Sequence, residues 1–427
     1  MRSGAQILLA WCVLSGPALA APLAVVQQPS RTTPGTQDFT SAGFGQPVAA
    51  MCAVGLNTTL GTAAAHTGVG IGFTDGTRNV SLYQRAEDAV TTTNTRRRGN
   101  ATDVLHVVDN TNTVVMRVQF SSWITDGVRL NYSVAPGSAY RVACTLFGGP
   151  IAQAYAGVAS TPSAINTGTP VTAPAFRPDV VLVINNDAQA FNDISASNLG
   201  MSFGFAVRNA AGNPHPQMNV SWIDINGVTT TNIQGRTGDA FAGRVGNGGT
   251  EIELQDFTAS GFTAMTRTVG AATTFGYLAL QLSGISAKAL SFDSPTAIGN
   301  DSITGVGFRP MGALLGMSFA PAVNQTYSDG NGEAFGLSML TSGAQWCLGV
   351  SSDDAVTTSN TETVTHSAPV CLRKDGAAQL SATFASFDSD GFTLNYSAVD
   401  ASARRMIGLF FQEAATGSVG RLRRRGL

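Results

Sequence analysis

The sequence predicts an all-β protein, three tandem antiparallel β-sandwiches of jelly-roll type, and three observations lead there. The first is composition. Charged residues make up only 12 % of the 427 residues, while Gly alone contributes 48. Low charge with abundant Thr and Gly suits strands joined by tight turns, and it leaves too little Glu, Lys and Leu for long helices. The second is self-similarity. Glu87-Asp88-Ala89-Val90-Thr91-Thr92-Thr93-Asn94-Thr95 returns as Asp353-Asp354-Ala355-Val356-Thr357-Thr358-Ser359-Asn360-Thr361, and more loosely as Asn226-Gly227-Val228-Thr229-Thr230-Thr231-Asn232. Asp126-Gly127-Val128-Arg129-Leu130-Asn131-Tyr132 returns as Asp390-Gly391-Phe392-Thr393-Leu394-Asn395-Tyr396, and the middle copy keeps Ser260-Gly261-Phe262-Thr263. A constant order of landmarks, spaced by about 130 residues, marks tandem copies of one unit. The third is period. Phe392 to Tyr396 and Val128 to Tyr132 alternate apolar and polar residues, as half-buried strands do, and Val180 to Ile184 is an apolar run of strand length.

The organisation follows from the same landmarks. Residues 1–20 read as a secretory signal: Arg2, an apolar stretch from Ile7 to Leu14, Pro17, and the small-x-small step Ala18-Leu19-Ala20. The mature chain is expected to start near Ala21 and to be secreted, extracellular or periplasmic. Residues 21–37 read as a disordered leader, 38–149 as the first sandwich and 150–174 as a linker. The second sandwich covers 175–284, the third 285–412, and a basic disordered tail 413–427. The copies are expected to be separate folded units that exchange no strand. Cys12 leaves with the signal, and Cys52, Cys144, Cys347 and Cys371 remain. An even number in an exported chain predicts two disulfides; pairing within each copy is the expectation among three connectivities.

A formal net charge of −2 excludes the broad positive field of a nucleic-acid binder, and no run is long enough for a membrane helix. Gly200-Met201-Ser202-Phe203-Gly204 matches a nucleophile-elbow pattern, but the strand continues through it and the other copies lack the serine. His66, His106, His215 and His366 show no metal spacing and recur in no second copy. The acidic, Thr-rich loop is the polar feature best kept between copies. Its candidate ligand-binding residues are Glu87, Asp88, Thr91 and Asn94; Asp224, Asn226 and Asn232; and Asp353, Asp354, Thr357 and Asn360. Short oxygen-bearing side chains of this kind suit a sugar hydroxyl or Ca²⁺, or cap their own backbone. Asp329, Asn331 and Glu333 alternate with Gly as in a fragment of a calcium loop, so calcium is the one candidate cofactor. Trp123, Phe257 and Phe387 occupy one equivalent position before a turn and are expected in the core.

The stretches Asn300 to Pro310 and Ser386 to Leu394 resemble the tandem repeats of uncharacterised phage-associated and secreted bacterial proteins. The Phe-x-Pro opening and the closing Gly-Phe strand are similar in pattern to H-type lectin sandwiches. The first resemblance implies no assigned activity, and the second does not place its sugar contacts on this chain. The expectation from residues and resemblance together is an exported, non-enzymatic, multivalent binding or adhesion protein for a glycan or cell-surface polymer. Its alternatives are a structural surface-assembly or phage-derived virion component and a secreted polysaccharide hydrolase. The oligomeric state is not legible.

Overall fold

The computed structural model describes residues 21–186, 191–192, 194–196, 199–245, 249–268, 272–327, 333–374 and 376–413. Residues 1–20, read above as a signal, and all of the Arg-rich tail except Glu413 lie outside the described residues. Among those described the chain is all β, with no helix, and its strand ladders are antiparallel.

Each repeat builds one large sheet and one small sheet. In the first repeat the large sheet runs Leu23–Pro29, Arg141–Phe147, Ala49–Gly55, Thr67–Thr74, Asn79–Ala86 and Thr95–Asn100. The small sheet runs Gly35–Thr40, Gly127–Val134, Val114–Ile124 and Leu105–Val108. The second and third repeats reproduce both orders strand for strand. The recurring Gly at the turn of the small sheet has a steric cause. A Cβ at Gly127, Gly261 or Gly391 would lie 2.1, 1.9 or 1.9 Å from the carbonyl oxygen of Phe39, Val171 or Ile303 on the neighbouring strand. The Asp before it holds the adjoining loop. Asp126 accepts from the amides of Gly43 and Gly45 at 3.0 and 2.8 Å, and Asp390 from Gly305 and Gly307 at 3.2 and 2.5 Å.

Every large sheet has a seventh strand that comes from another repeat. Ile194–Ala196 of the second repeat pairs with Thr95–Asn100 of the first. Gln325–Tyr327 of the third pairs with Ile233–Gly238 of the second. Ala64–Ala65 of the first pairs with Thr361–His366 of the third. Three exchanges, each in the same sense, close a cycle. The chain is a three-lobed ring with pseudo-threefold symmetry.

The large sheets are buried on both faces, which explains why strands such as Thr67–Thr74 and Val180–Asn185 are buried at every residue. The outer faces pack on the small sheets and form a core for each lobe, around Tyr132, Tyr277 and Tyr396 respectively. The inner faces meet one another. Ile71, Phe73 and Leu82 of the first repeat, Phe203, Val220 and Trp222 of the second, and Leu337, Trp346 and Phe411 of the third belong to one central apolar cluster. Gly312 lets two repeats approach, since a Cβ there would lie 2.4 Å from Leu23 of the first repeat.

Several expectations are corrected here. The copies are not independent units without exchange; strands cross all three joints. The leader 21–37 is not disordered, because the strand Leu23–Pro29 lies within it and the strand Gly35–Thr40 begins in it. Leu23 and Val25 enter the central core while Ala24 enters the lobe core, an alternation hidden among Gln and Pro. The linker 150–174 holds the strands Ile151–Thr161 and Gly168–Val171. Pro170 is accommodated because Gly168–Val171 is an edge strand, paired on one side only. The first two repeats therefore meet at residue 150, with no spacer between them.

The disulfides join Cys52 to Cys144 and Cys347 to Cys371, each within one repeat. The first links adjacent strands of a sheet and the second links the two sheets of the third lobe.

Candidate functional site

The acidic, Thr-rich loops of the three repeats come together and hold one another. Their register follows from a shared backbone bond: Glu87, Ile225 and Asp353 each donate their amide to the carbonyl of Asn94, Asn232 or Asn360. Ala89, Gly227 and Ala355 then occupy the same place in the turn, and all three have left-handed φ of 58°, 74° and 57°. The following residues of one loop dock into the turn of the next. Thr93 Oγ1 donates to Ile225 O at 2.6 Å and accepts from Val228 N at 3.0 Å. Thr231 Oγ1 accepts from Val356 N at 2.9 Å. Ser359 Oγ accepts from Val90 N at 3.0 Å and donates to Glu87 O at 2.8 Å. Backbone pairs at 2.8–3.0 Å flank each hydroxyl on both sides.

The acidic positions do the same work. Asp88 Oδ1 accepts from Thr361 N, Asn226 Oδ1 from Thr95 N, and Asp354 Oδ1 from Ile233 N, each at 2.8 Å and each across a joint. Within a loop, Asn94 donates to Glu87, and Asn360 donates to Asp353 at 2.8 Å. Thr91 and Thr357 are exposed at the loop tips, and Asn232 is exposed with its carbonyl in the turn. The structure thus brings the loop candidates together, as a hub that ties three repeats. The residues at its centre, Thr93, Thr231 and Ser359, were not among the candidates. Their signal was present in the sequence: a hydroxyl residue directly before the Asn is kept in all three copies.

This hub gives a direct expectation. Ser359→Ala leaves the half-buried amide of Val90 without its partner and removes a donor to Glu87, at a cost of about 1–3 kcal/mol. Thr91→Ala and Thr357→Ala, at exposed tips, change stability by less than about 0.5 kcal/mol. Urea denaturation of the three variants measures the contrast, and a silent Ser359→Ala contradicts the hub.

A second cluster resembles catalytic machinery and is not. Ser81 Oγ lies 3.0 Å from His106 Nδ1, but both residues are 0 % exposed, and Asp103, also 0 % exposed, pairs with Arg117 instead. Register along the paired strands places Ser81 and His106 at the positions of Cys347 and Cys371. One inter-sheet tie is a disulfide in the third lobe and a Ser–His hydrogen bond in the first. Burial, with the nearby Arg98 charge, holds His106 well below the usual imidazole pKa, so it stays neutral. The other histidines serve backbone or packing: His66 accepts from Asp88 N, His215 from Asn209 N, and His366 packs beside Gly61. Ser202 sits mid-strand and fully buried in Leu199–Val207, where it accepts from Arg244 N. Trp123, Phe257 and Phe387 pack on lobe cores, half buried. Of the calcium candidates, Asp329 and Asn331 lie outside the described residues, and Glu333 opens the strand Glu333–Thr341. No group of three or more His, Cys, Asp or Glu that suits a metal occurs among the described residues.

Solvent-open concavities lie where the first strand of one repeat meets the body of the preceding one. The second–third joint holds a groove of about 730 Å³, lined by Phe176, Arg177, Asp179, Arg208, Gln281 and Ser286 among others. The third–first joint holds a smaller one of about 300 Å³, lined by Leu23, Val25, Phe44, Met311 and small residues. The first–second joint is filled. Arg78 lies 4.0 Å over the Tyr155 ring and pairs with Asp75 at 2.9 Å, and Asp75 accepts from Ala156 N at 3.1 Å.

Fold and joints together define a class: an all-β, disulfide-bonded, single-chain ring of three lobes. No protein-family model, curated protein or solved structure matches the chain. Among the described residues no helix is long and apolar enough to cross a membrane.

Proposed function

We propose that the chain is an exported, non-enzymatic binding protein whose three lobes form one rigid head for a glycan or cell-surface polymer. The observation that carries this reading is the polar groove of about 730 Å³ at the second–third joint. It is open to solvent and combines hydrogen-bonding side chains with apolar wall, as polyhydroxylated ligands require. The acidic loop residues, by contrast, are engaged by backbone amides across the joints, so they do not supply an acid and base facing one substrate. The two disulfides agree with an oxidising compartment.

A second reading, a building block of a surface or virion assembly, draws support from the closed pseudo-threefold ring. One screen separates them. The mature chain is applied to a glycan array with and without Ca²⁺, and its particles are imaged by negative-stain microscopy. Saturable glycan binding by isolated particles supports the first reading. Ordered polymers or sheets with no glycan bound overturn it in favour of the second.

A further inference from the structure

We infer that the groove between the second and third repeats recognises a carboxylate-bearing saccharide, with Arg177 as the charge that selects it; this rests on the binding reading above. The argument uses the three joints as internal controls. Phe176-Arg177-Pro178 and Phe308-Arg309-Pro310 are the same tripeptide in successive repeats. Arg309 is satisfied within its lobe: Nη1 lies 3.4 Å from Glu413 Oε2, and Nε donates to Phe387 O at 3.4 Å. Arg177 is exposed on the wall of the groove, where strand register puts an uncharged residue, Leu282, at the position matching Glu413.

The one acid lining the groove is Asp179, and it is already committed. Its Oδ1 takes a forked pair from Arg208, at 2.6 Å from Nη2 and 3.0 Å from Nε, and its Oδ2 accepts from Leu282 N at 2.8 Å. The groove therefore carries one positive charge in excess. Arg208 is neutralised and rigid; Arg177 presents its planar fork to solvent. A guanidinium matches a carboxylate with two parallel hydrogen bonds. Gln281 and Ser286, which also line the groove, offer an amide and a hydroxyl to ring hydroxyls. The volume admits a short oligosaccharide. At the first–second joint Arg78, from a different turn, lies on Tyr155 and is paired with Asp75, and the third–first joint has no cation in its lining. Among the described residues, the second–third joint combines an open groove with an uncompensated charge, and the contacts at the other two joints do not.

The test compares each acidic saccharide with its own neutral form. Oligosaccharides of galacturonate, guluronate, glucuronate and sialate are titrated into the full mature chain by calorimetry, as free acids and as methyl esters. Two variants at exposed positions are measured beside the parent: Arg177→Glu, which reverses the charge, and Ala210→Trp, which narrows the groove. Their folding is checked by thermal melting. At least one free acid is expected to bind, its ester about tenfold or more weaker. Arg177→Glu and Ala210→Trp are expected to weaken it at least as much, and affinity falls as salt rises. Equal binding of acid and ester, or variants that bind like the parent, overturns the groove assignment while the binding function stands. Binding to neutral glycans alone does the same. No binding to these saccharides or to any glycan of the array overturns both.

Discussion

Residues 21–284, expressed without the third repeat, do not form two folded lobes. The expected product is insoluble or molten: it binds hydrophobic dyes, lacks near-UV circular dichroism and melts without a cooperative transition. The reason is the central cluster. Leu314, Phe335, Leu337, Met339, Trp346, Leu348, Ile407, Leu409 and Phe411 cover the inner faces of the other two large sheets, and each is fully buried. Burial of one such side chain is worth about 1.5–3 kcal/mol. Losing this set on one side and exposing its partners on the other exceeds the usual net stability of about 5–15 kcal/mol. The truncation also strips the seventh strand Gln325–Tyr327 from the second repeat and leaves Ala64–Ala65 without a sheet to join. Exposed edges of this kind promote aggregation. For the same reason the intact chain is expected to melt in one calorimetric transition, not three. A soluble, monomeric 21–284 fragment with a sharp melt refutes the shared core.

Replacing Asp224 by Ala stabilises the protein at neutral and mildly alkaline pH. Asp224 is 2 % exposed, its Oδ1 has no hydrogen-bond partner, and Asp354 lies across the joint. Burial, and after it the Asp354 charge, pushes the Asp224 carboxyl up to about 8. The unfolded chain releases this proton near the ordinary value of 3.8. Between about pH 4 and pH 8 the folded state therefore holds a proton that the unfolded state has lost, and stability falls as pH rises through that window. The matching positions in the other repeats are Ala86 and Ser352, so the site tolerates a small side chain. Asp224→Ala is expected to match the parent near pH 4. At pH 8 it exceeds the parent by a few kcal/mol, on the order of several degrees in Tm. Melting curves across pH 4 to 9 decide it. A variant whose pH profile parallels the parent's shows that Asp224 is not the group responsible.

Much of the lobe was readable because it is written locally. The Asp-Gly turn announced itself in Asp126-Gly127 and Asp390-Gly391, since a Cβ there would strike the adjacent strand. The disulfide partners were readable because each pair lies within one repeat and the cysteines are few. Period two exposed Val128 to Tyr132, a strand with one face outward. The same rule failed for Leu23–Pro29 and Ile151–Thr161. Each sends residues into the core from a background of Gln, Thr, Pro or Ala, and its apolar side is matched by a different repeat. The loop from Glu87 to Thr95 was singled out correctly as the recurring polar feature. Its partners, more than a hundred residues away, could not be read from it.

The sequence by itself determined the all-β class, the three copies, the order of their landmarks and the positions where turns demand Gly or Asp. These depend on residues that are neighbours along the chain or opposite one another in a hairpin, so period and spacing record them. Only the tertiary structure decided that the copies close into a ring, that their inner faces share one core, and that the Thr-rich loops lock the joints. It also decided which arginine is spent on the fold and which stays open in a groove. Those outcomes rest on contacts between copies whose sequences look alike, and near-identity along the chain does not say which copy meets which. Packing of three apolar faces, each insufficient alone, supplies that information.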